Sequence, residues 1–255
     1  MTGEPVWIWG RHPVLEALRS GTATSVLLAA GRRSSPVIDE ICRLAILGEV
    51  PLREIDPREL QRISPSSNMQ GVAAEVRTAR TLDIEEILSL PGTASALFLV
   101  LDEIQDPHNL GALLRSASAA GADGVILPER RTAPLTGTVA KASAGAVART
   151  AIAQVTNLAR ALERMRDAGI WTVGLDGSAE TLIYEVDLTA PVALVIGNEG
   201  RGLRRLVRQT CDFVVRLPMR GEISSLNASV AGGIALFEAV RQRIHRTDSA
   251  NRPVQ

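Results

Sequence analysis

A run of five apolar residues that stops abruptly at a glycine-rich loop constrains this chain most. Val192–Ile196 contains no polar side chain, which is typical of a strand buried on both faces of a parallel sheet. Three glycines follow within Gly197–Gly202, with Glu199 and Arg201 between them. Glycine permits sharp turns and close approach of a ligand, and open α/β sheets bind ligands beyond the carboxyl ends of their strands. The stretch therefore predicts a ligand-binding loop, with a plain strand-to-helix turn as the alternative.

Composition limits the possible classes of protein. The 255 residues are 45% apolar, which is enough for a sizeable core and two domains. The formal net charge is zero and only 3% of residues are aromatic, which argues against a strongly basic nucleic-acid scavenger and against base-stacking platforms. Lys141 is the only lysine, so arginine supplies the positive charge; this suits bidentate phosphate contacts or reflects a coding bias.

The cysteines and the apolar segments indicate where the protein works. Cys42 and Cys211 lie far apart without CxxC spacing, which fits a reducing compartment and no structural zinc. No signal-peptide pattern is present, and no segment reaches the ~18 apolar residues of a membrane span. We therefore expect a cytoplasmic protein without a metal or a membrane partner.

Residues 1–76 predict a small α/β domain, and residues 77–95 a linker with one short helix, Ile84–Leu88. Gly10–Pro13 predicts a turn in which His12 is more simply a solvated histidine than a catalytic one. The predicted strands are Val6–Trp9, Ser25–Ala29, Leu52–Ile55 and Gly71–Val76, and the predicted helices begin at Pro13, Val37 and Pro57.

Residues 96–245 predict a second domain in which strands alternate with helices, the pattern of a mostly parallel sheet. Asn109 could cap the first helix of this domain, and residues 246–255 predict a flexible tail. The predicted strands are Ala96–Leu101, Gly124–Leu127, Ile170–Leu175, Val192–Ile196 and Phe213–Leu217. The predicted helices are Leu110–Ala120, Thr136–Ala148, Leu158–Ala168, Arg204–Cys211 and a last one that reaches Arg243.

Three loops of this domain are unusual: Asn109–Arg115, Gly197–Gly202 and Leu217–Asn227. The last of these runs into a helix whose amino terminus suits a carboxylate or a phosphate, although Ser and Asn there serve equally well as caps. The dinucleotide fingerprint, the Walker motif, metal-ligand spacing and the nucleophile elbow are all absent. Composition and periodicity alone therefore predict only an α/β enzyme with a glycine-rich ligand loop.

A resemblance to a known family extends this prediction. Asn109-Leu-Gly-Ala-Leu-Leu-Arg115, Ile196-Gly-Asn-Glu-Gly-Arg-Gly-Leu203 and Ser225-Leu-Asn-Ala-Ser-Val-Ala231 resemble, in order and spacing, the three motifs of the SpoU-type RNA 2′-O-methyltransferases. Gly10–Leu18 is similar to the opening of that family's L30e-like RNA-binding domain. The segments Asp106–Ala112, Val155–Arg160 and Leu236–Arg243 look most like the branch that methylates a guanosine of 23S rRNA. That branch usually has His-Gln-Gly where this chain has Met69-Gln70-Gly71.

The resemblance implies an α/β catalytic domain tied in a trefoil knot (the SPOUT fold), which would be an exception to the rule against threaded loops. It also implies a homodimer with active sites at the subunit interface, and S-adenosylmethionine bound bent in the knot loops. The RNA contacts it implies are Arg11, His12 and Gln70. The cofactor contacts it implies are Leu175, Asp176, Gly177, Ile196, Gly197, Gly202, Leu217, Met219 and Leu226.

The family's catalytic residues match Asn109, Arg115, Glu199, Ser225 and Asn227. We expect Arg115 to contact the ribose 2′-hydroxyl and the adjoining phosphate, while Glu199 and Asn109 orient the arginine or the ribose. A guanidinium stays charged in proteins, so Arg115 suits stabilisation of a developing alkoxide better than removal of a proton.

Two other functions are compatible with these motifs. The first is methylation of a tRNA guanosine, against which the separate N-terminal domain argues, because the tRNA branch usually lacks one. The second is a catalytically idle RNA-binding or ribosome-assembly protein, against which the intact set Asn109, Arg115, Glu199 and Asn227 argues.

Overall fold

The computed structural model of the chain separates into two compact units. The first comprises residues 1–80 with 134–149, and the second residues 81–133 with 150–255. The structure describes residues 6–19, 21–31, 35–63, 70–76, 81–90, 95–135, 137–221 and 225–250. Met69, which stands where the 23S rRNA branch usually has histidine, lies outside these residues.

The first unit contains a four-stranded sheet in the order β1-β4-β2-β3. Strand β4 is antiparallel to β1 and β2, whereas β2 and β3 are parallel. Leu27, Ala29, Ile55, Leu60 and Ala73 form one apolar cluster of this unit. The elements are β1 (Val6–Trp9), α1 (Arg11–Arg19), β2 (Ala23–Ala29), α2 (Pro36–Leu47), β3 (Leu52–Ile55), α3 (Pro57–Ile63) and β4 (Val72–Val76).

Two local predictions for this unit need correction. Helix α1 begins at Arg11 rather than Pro13, because Gly10 adopts a φ of +100° and reverses the chain in one residue. The segment predicted as one helix, 136–148, consists of α6 (Gly137–Ala142) and a 3₁₀ turn at Ala146–Ala148, with Gly145 at φ +80° between them; Thr136 lies outside the described residues. The predicted boundaries place this segment in the second domain, but α6 packs against β1 in the first unit.

The described part of the second unit contains a seven-stranded sheet in the order β11-β9-β10-β6-β7-β8-β5, and every pairing in it is parallel. The predicted α/β class with a mostly parallel sheet is confirmed. Its strands are β5 (Thr81–Leu82), β6 (Leu97–Leu101), β7 (Gly124–Pro128), β8 (Ile152–Val155), β9 (Trp171–Leu175), β10 (Val192–Ile196) and β11 (Phe213–Val215). Its helices are α4 (Ile84–Leu88), α5 (Pro107–Ala119), α7 (Leu158–Asp167), α8 (Arg205–Thr210) and α9 (Ala228–Ala250).

The glycine-rich loop follows the centre of this sheet. All five residues of β10 are buried, and the strand pairs with β6 on one side and β9 on the other. Apolar side chains of α7 and α8, among them Leu162, Met165 and Val207, belong to the core cluster that includes Ala193 and Val195 of β10. The continuous apolar run in the sequence therefore corresponds to a strand enclosed by its neighbours.

Several boundaries differ from the predictions. The sequence analysis missed β8 and also β5, which lies inside the predicted linker 77–95 and pairs with β8. The strand predicted to reach Leu217 ends at Val215. Helix α9 continues beyond Arg243 to Ala250, so the first five residues of the predicted flexible tail are helical; residues 251–255 lie outside the described part.

Candidate active site

The glycine-rich loop after β10 closes on itself. The backbone N–H of Asn198 donates to the Gly202 carbonyl at 3.1 Å, and the Gly202 N–H donates to the Asn198 carbonyl at 2.8 Å. A Cβ atom on Gly197 would overlap the backbone of Gly202, and Gly202 itself has a φ of +66°. Glycine is therefore required sterically at 197 and favoured conformationally at 202.

This loop forms one wall of a cavity of about 380 Å³, within the range of roughly 300–1,000 Å³ that small-molecule sites occupy. The cavity lies at the carboxyl ends of β9, β10 and β11, as expected for a parallel sheet. Its lining includes Glu199, Ser225 and Arg216, the last of which the sequence analysis did not select. The structure also brings to this cavity every residue predicted to contact the cofactor: Leu175, Asp176, Gly177, Ile196, Gly197, Gly202, Leu217, Met219 and Leu226.

A chain of side-chain hydrogen bonds links the three motifs. Asn109 Nδ2 donates to Glu199 Oε1 at 2.6 Å, and Asn227 Nδ2 donates to Asn109 Oδ1 at 2.9 Å. These bonds join residues 90 and 118 positions apart in the sequence. Because an ionised carboxylate can only accept, Glu199 determines which way the Asn109 amide points, and Asn109 then determines the orientation of Asn227.

Local helix geometry places two members of this chain. Asp106, not Asn109, caps helix α5, because its side chain accepts from the His108 N–H at 2.9 Å. Asn109 instead lies in the first turn and is only 9% exposed. At the start of α9, Asn227 Oδ1 accepts from the N–H and the hydroxyl of Ser229 at 2.9 and 2.6 Å. The side chain of Asn227 thus caps α9 while its amide reaches Asn109.

Arg115 stands apart from this chain. It lies on α5 six residues after Asn109, or about one and two-thirds turns, and therefore points to a different face of the helix. Its side chain is exposed, and no hydrogen bond or ion pair in the described part of the chain joins it to Glu199 or Asn109. That Glu199 and Asn109 orient the arginine or the ribose stays a prediction.

The carboxylate of Asp176, directly after β9, is hydrogen-bonded to other residues of the protein. Its Oδ1 accepts from the N–H and hydroxyl of Ser178 at 2.8 and 2.6 Å, and Arg208 Nε donates to Oδ2 at 3.0 Å. Burial acts to raise the pKa of Asp176, but the Ser178 hydrogen bonds and the charge of Arg208 outweigh it and lower the pKa. Asp176 is therefore an ionised residue that shapes the turn at the cavity edge.

Sequence reasoning missed an ion pair next to the loop. Asp102 follows β6 and is fully buried, and Arg204 Nε donates to its Oδ1 at 2.7 Å. The signal available in the sequence was an acidic residue directly after a wholly apolar strand, a position at which burial is expected.

The predicted RNA contacts of the first unit are partly joined to one another. The Arg11 N–H donates to Gln70 Oε1 at 3.0 Å, and Arg11 Nε donates to the Gln70 carbonyl at 3.4 Å. Arg11 Nη1 also reaches the hydroxyl of Ser35 at 3.3 Å, a contact that the sequence analysis missed. His12 follows in the first turn of α1 and is exposed. A role of these residues in binding RNA stays a prediction.

The described residues contain neither a cluster of metal ligands nor a helix that could span a membrane. No group of three or more His, Cys, Asp or Glu side chains there is arranged to hold a metal ion. Nor does any helix in that part of the chain combine the length and the apolar character needed to cross a membrane.

Comparison with known proteins identifies the family. The model of the SpoU rRNA Methylase family matches residues 96–237, and that of the RNA 2′-O ribose methyltransferase substrate-binding domain matches residues 7–82. A 23S rRNA (guanosine-2′-O-)-methyltransferase RlmB from Pseudomonas putida is 45% identical over 241 residues, which cover 92% of this chain and 96% of the relative.

Solved structures agree with these matches. The SpoU methyltransferase AviRb from Streptomyces viridochromogenes, in complex with AdoMet, superposes with a TM-score of 0.74 at 30% identity and covers 94% of this chain and 90% of its own. The TrmH/SpoU tRNA modifying enzyme of A. aeolicus superposes with a TM-score of 0.55 at 28% identity, covering 68% of this chain and 86% of its own. The family match spans all three loops singled out by the sequence and confirms the resemblance: the chain belongs to the SpoU rRNA methylase family.

Proposed function

We propose that this protein transfers a methyl group from S-adenosylmethionine to the ribose 2′-hydroxyl of a guanosine in 23S rRNA. The observation that carries the proposal is the hydrogen-bonded chain Glu199–Asn109–Asn227 beside a glycine-bounded cavity, in a member of this family. The name and the near-complete coverage of the Pseudomonas putida relative support the choice of a 23S rRNA guanosine.

The residues of the cavity suit S-adenosylmethionine. Leu175, Ile196, Leu217 and Leu226 supply apolar side chains to the lining, and Gly197, Gly200 and Gly202 line the cavity without a side chain that would narrow it. The relative AviRb was solved with AdoMet bound. The cofactor, when bound, supplies a methyl group on a positively charged sulfur.

The chain's own residues would position the ribose. The three-residue hydrogen-bonded chain places polar groups in defined orientations next to the cavity, which reduces the entropic cost of aligning the 2′-oxygen with the methyl group. Ser225 is exposed and lines the cavity, where its hydroxyl can donate to or accept from the ribose. The exposed, permanently charged guanidinium of Arg115 can pair with a phosphate and stabilise the developing alkoxide.

We further infer that the protein is a homodimer. Helix α9 carries Val230, Ile234, Phe237 and Ile244, which are 49%, 38%, 50% and 55% exposed. Their spacing of four, three and seven residues places them on one face of the helix. A contiguous exposed apolar stripe is typical of an interaction site, and a twofold pairing of α9 with a second copy would cover it.

The first unit supports an rRNA substrate over a tRNA substrate. It matches the substrate-binding model over residues 7–82, whereas the structure of the A. aeolicus tRNA modifying enzyme covers only 68% of this chain. A non-catalytic RNA-binding role would give no reason for Glu199, Asn109 and Asn227 to meet in one chain of hydrogen bonds beside the cavity.

A methyl-transfer assay tests the proposal. Tritiated S-adenosylmethionine is incubated with unmethylated 23S rRNA, with assembling large-subunit particles and with tRNA, and the labelled nucleoside is identified after digestion. We expect 2′-O-methylguanosine in 23S rRNA or in the particles. Label in tRNA would preserve the chemistry but overturn the substrate, and no label in any of the three would favour the non-catalytic function.

Matched arginine variants test the role of Arg115. Arg115→Ala should lower kcat by about 100-fold, in the range seen when one charge-stabilising donor is lost. Arg164→Ala removes an equally permanent charge from α7, where it pairs with Glu85 away from the cavity, and should leave kcat unchanged. A near-normal kcat for Arg115→Ala would exclude its catalytic role.

A further inference from the structure

We propose that Asp102 and Arg204 form a positioning pair that holds the glycine-rich loop in the shape that binds S-adenosylmethionine. The inference rests on the proposed function, because that function names the ligand. Neither residue lines the cavity, so the pair would act through the loop and not by touching the cofactor. The effect expected of such a pair is on cofactor affinity, with little effect on the chemical step.

Asp102 contacts both ends of the loop. Its backbone N–H donates to the carbonyl of Ile196, the last residue before the loop, at 2.8 Å. Its Oδ2 accepts from the backbone N–H of Arg204, just after the loop, at 2.8 Å. Its Oδ1 accepts from Arg204 Nε at 2.7 Å. Asp102, directly after β6, therefore sets the distance between the end of β10 and the start of α8, the two elements that the loop connects.

Glu103 provides a third connection to the loop. Its carbonyl accepts from Asn198 Nδ2 at 3.0 Å, and Asn198 is the residue whose backbone closes the loop with Gly202. The carboxylate of Glu103 lies 3.3 Å from Arg204 Nη1. Glu103 has a φ of +58°, which is strained for a residue other than glycine and persists only where the surroundings hold it. Such strain is characteristic of functional sites.

The burial of Asp102 explains why loss of the pair should release the loop. The Asp102 side chain is 0% exposed, whereas that of Arg204 is 41% exposed. A buried carboxylate is costly unless it is paired and hydrogen-bonded, and both conditions are met here by one residue. Gly197 to Gly202 line the cavity, so movement of the loop would displace a cavity wall.

The test compares Asp102→Asn and Arg204→Gln with a matched control, Asp212→Asn. Asp212 Oδ2 also accepts from a backbone N–H and a side chain, those of Thr172 at 2.9 and 2.7 Å, but at the amino end of β9, opposite the cavity. Three quantities are measured: hydrogen exchange of the Asn198 and Gly202 amides without cofactor, the Kd for S-adenosylmethionine by calorimetry, and kcat at saturating cofactor.

We expect Asp102→Asn and Arg204→Gln to speed exchange of the two loop amides and to raise Kd about tenfold, the size of one lost charge-assisted hydrogen bond. Their kcat at saturating cofactor should stay within about threefold of the wild type, because uniform binding affects affinity and not the chemical step. Asp212→Asn should change none of the three quantities, even where it lowers the melting temperature as much.

The proposal would be overturned if hydrogen exchange of the two loop amides were unchanged in both Asp102→Asn and Arg204→Gln. It would also be overturned if Asp212→Asn sped that exchange as much as they do. A fall in kcat without a rise in Kd would also overturn it. Should Asp102→Asn fail to fold, Arg204→Gln decides, since its side chain is partly exposed. If the wild type itself did not bind S-adenosylmethionine, the proposed function would fail, and the exchange measurement, which needs no cofactor, would still decide the role of the pair.

Discussion

Replacing Asn109 with alanine should separate the role of the hydrogen-bonded chain from general stability. The change removes the 2.6 Å bond to the Glu199 carboxylate and the 2.9 Å bond to Asn227. A bond to a charged group contributes about 1.5–3 kcal/mol, and a neutral one about 0.5–1.5 kcal/mol. Asn227 is exposed and Glu199 half-buried, so both can recover bonds from water, and we expect a net loss of about 1–2 kcal/mol in the free energy of unfolding.

The effect on the reaction should be larger than the effect on stability. Water can satisfy Glu199 and Asn227, but it cannot hold them in one orientation next to the cavity. Loss of about 3 kcal/mol of positioning corresponds to a roughly 100-fold fall in the single-turnover rate. The rate is measured at saturating cofactor and RNA, and stability by urea unfolding. Asn157→Ala is the matched control, because it truncates an asparagine that caps α7 through the Arg160 N–H at 3.2 Å, away from the cavity.

We expect Asn157→Ala to cost about 1 kcal/mol of stability and to leave the rate unchanged. A rate loss below about threefold for Asn109→Ala, or an equal loss in both variants, would refute the positioning argument.

A reciprocal exchange of the amide and the carboxylate gives a stricter test of the contact between Asn109 and Glu199. Asn109→Asp places a second carboxylate beside Glu199 and should destabilise the protein, whereas adding Glu199→Gln restores one amide and one carboxylate with the bond reversed. The double variant should regain the lost stability, and purely additive effects would argue against the contact.

Three further predictions follow from titration and exposure. Ser178 and Arg208 hold the pKa of Asp176 below its ordinary value of 3.8, against the effect of burial; its ionisation therefore stabilises the fold above about pH 4 and this contribution is lost as the pH falls through the lowered pKa. The stability difference between wild type and Asp176→Asn should shrink below pH 4, and a constant difference down to pH 2 would contradict this. Burial raises the pKa of Cys211 to about 12, so iodoacetamide at pH 8 should label it far more slowly in the folded protein than in urea, as followed by mass spectrometry; equal rates would contradict the burial. Phe237→Asp should convert the proposed dimer to a monomer in light-scattering measurements, because it places a charge in the apolar stripe of α9. A variant that stays dimeric would exclude that face as the interface.

Strands enclosed by other elements were the easiest part of the fold to predict. Val192–Ile196 and Leu97–Leu101 are wholly apolar because both of their faces are covered, and no other environment suits such a run so well. In contrast, Ile152–Val155 includes Gln154 and Thr81–Leu82 has only two residues, so neither segment shows a clear period. Their place in the sheet comes from pairing with each other and with β7, which is a tertiary property.

Helix boundaries depended on single residues that periodicity does not resolve. Asp106 rather than Asn109 caps α5, because the helix begins at Pro107, a residue suited to the first turn. Asn109 therefore lies within the first turn, where its side chain bonds Glu199 and Asn227. The sequence analysis selected Asn109, and only the start of the helix shows that Asp106 is the cap.

The sequence by itself determined that the glycine-rich loop follows a buried strand at the carboxyl edge of a parallel sheet. Open α/β sheets bind ligands beyond the carboxyl ends of their strands, and the nine cofactor contacts that the family resemblance implies do line one cavity there. The tertiary structure alone decided which polar side chains bond within that edge. Glu199 bonds Asn109, and Asp102 bonds Arg204. Within the described residues, no hydrogen bond joins Arg115 to Glu199 or Asn109. The physical reason is one of scale: burial extends over whole strands and can be seen in their composition, whereas a hydrogen bond is made or lost within a few tenths of an ångström.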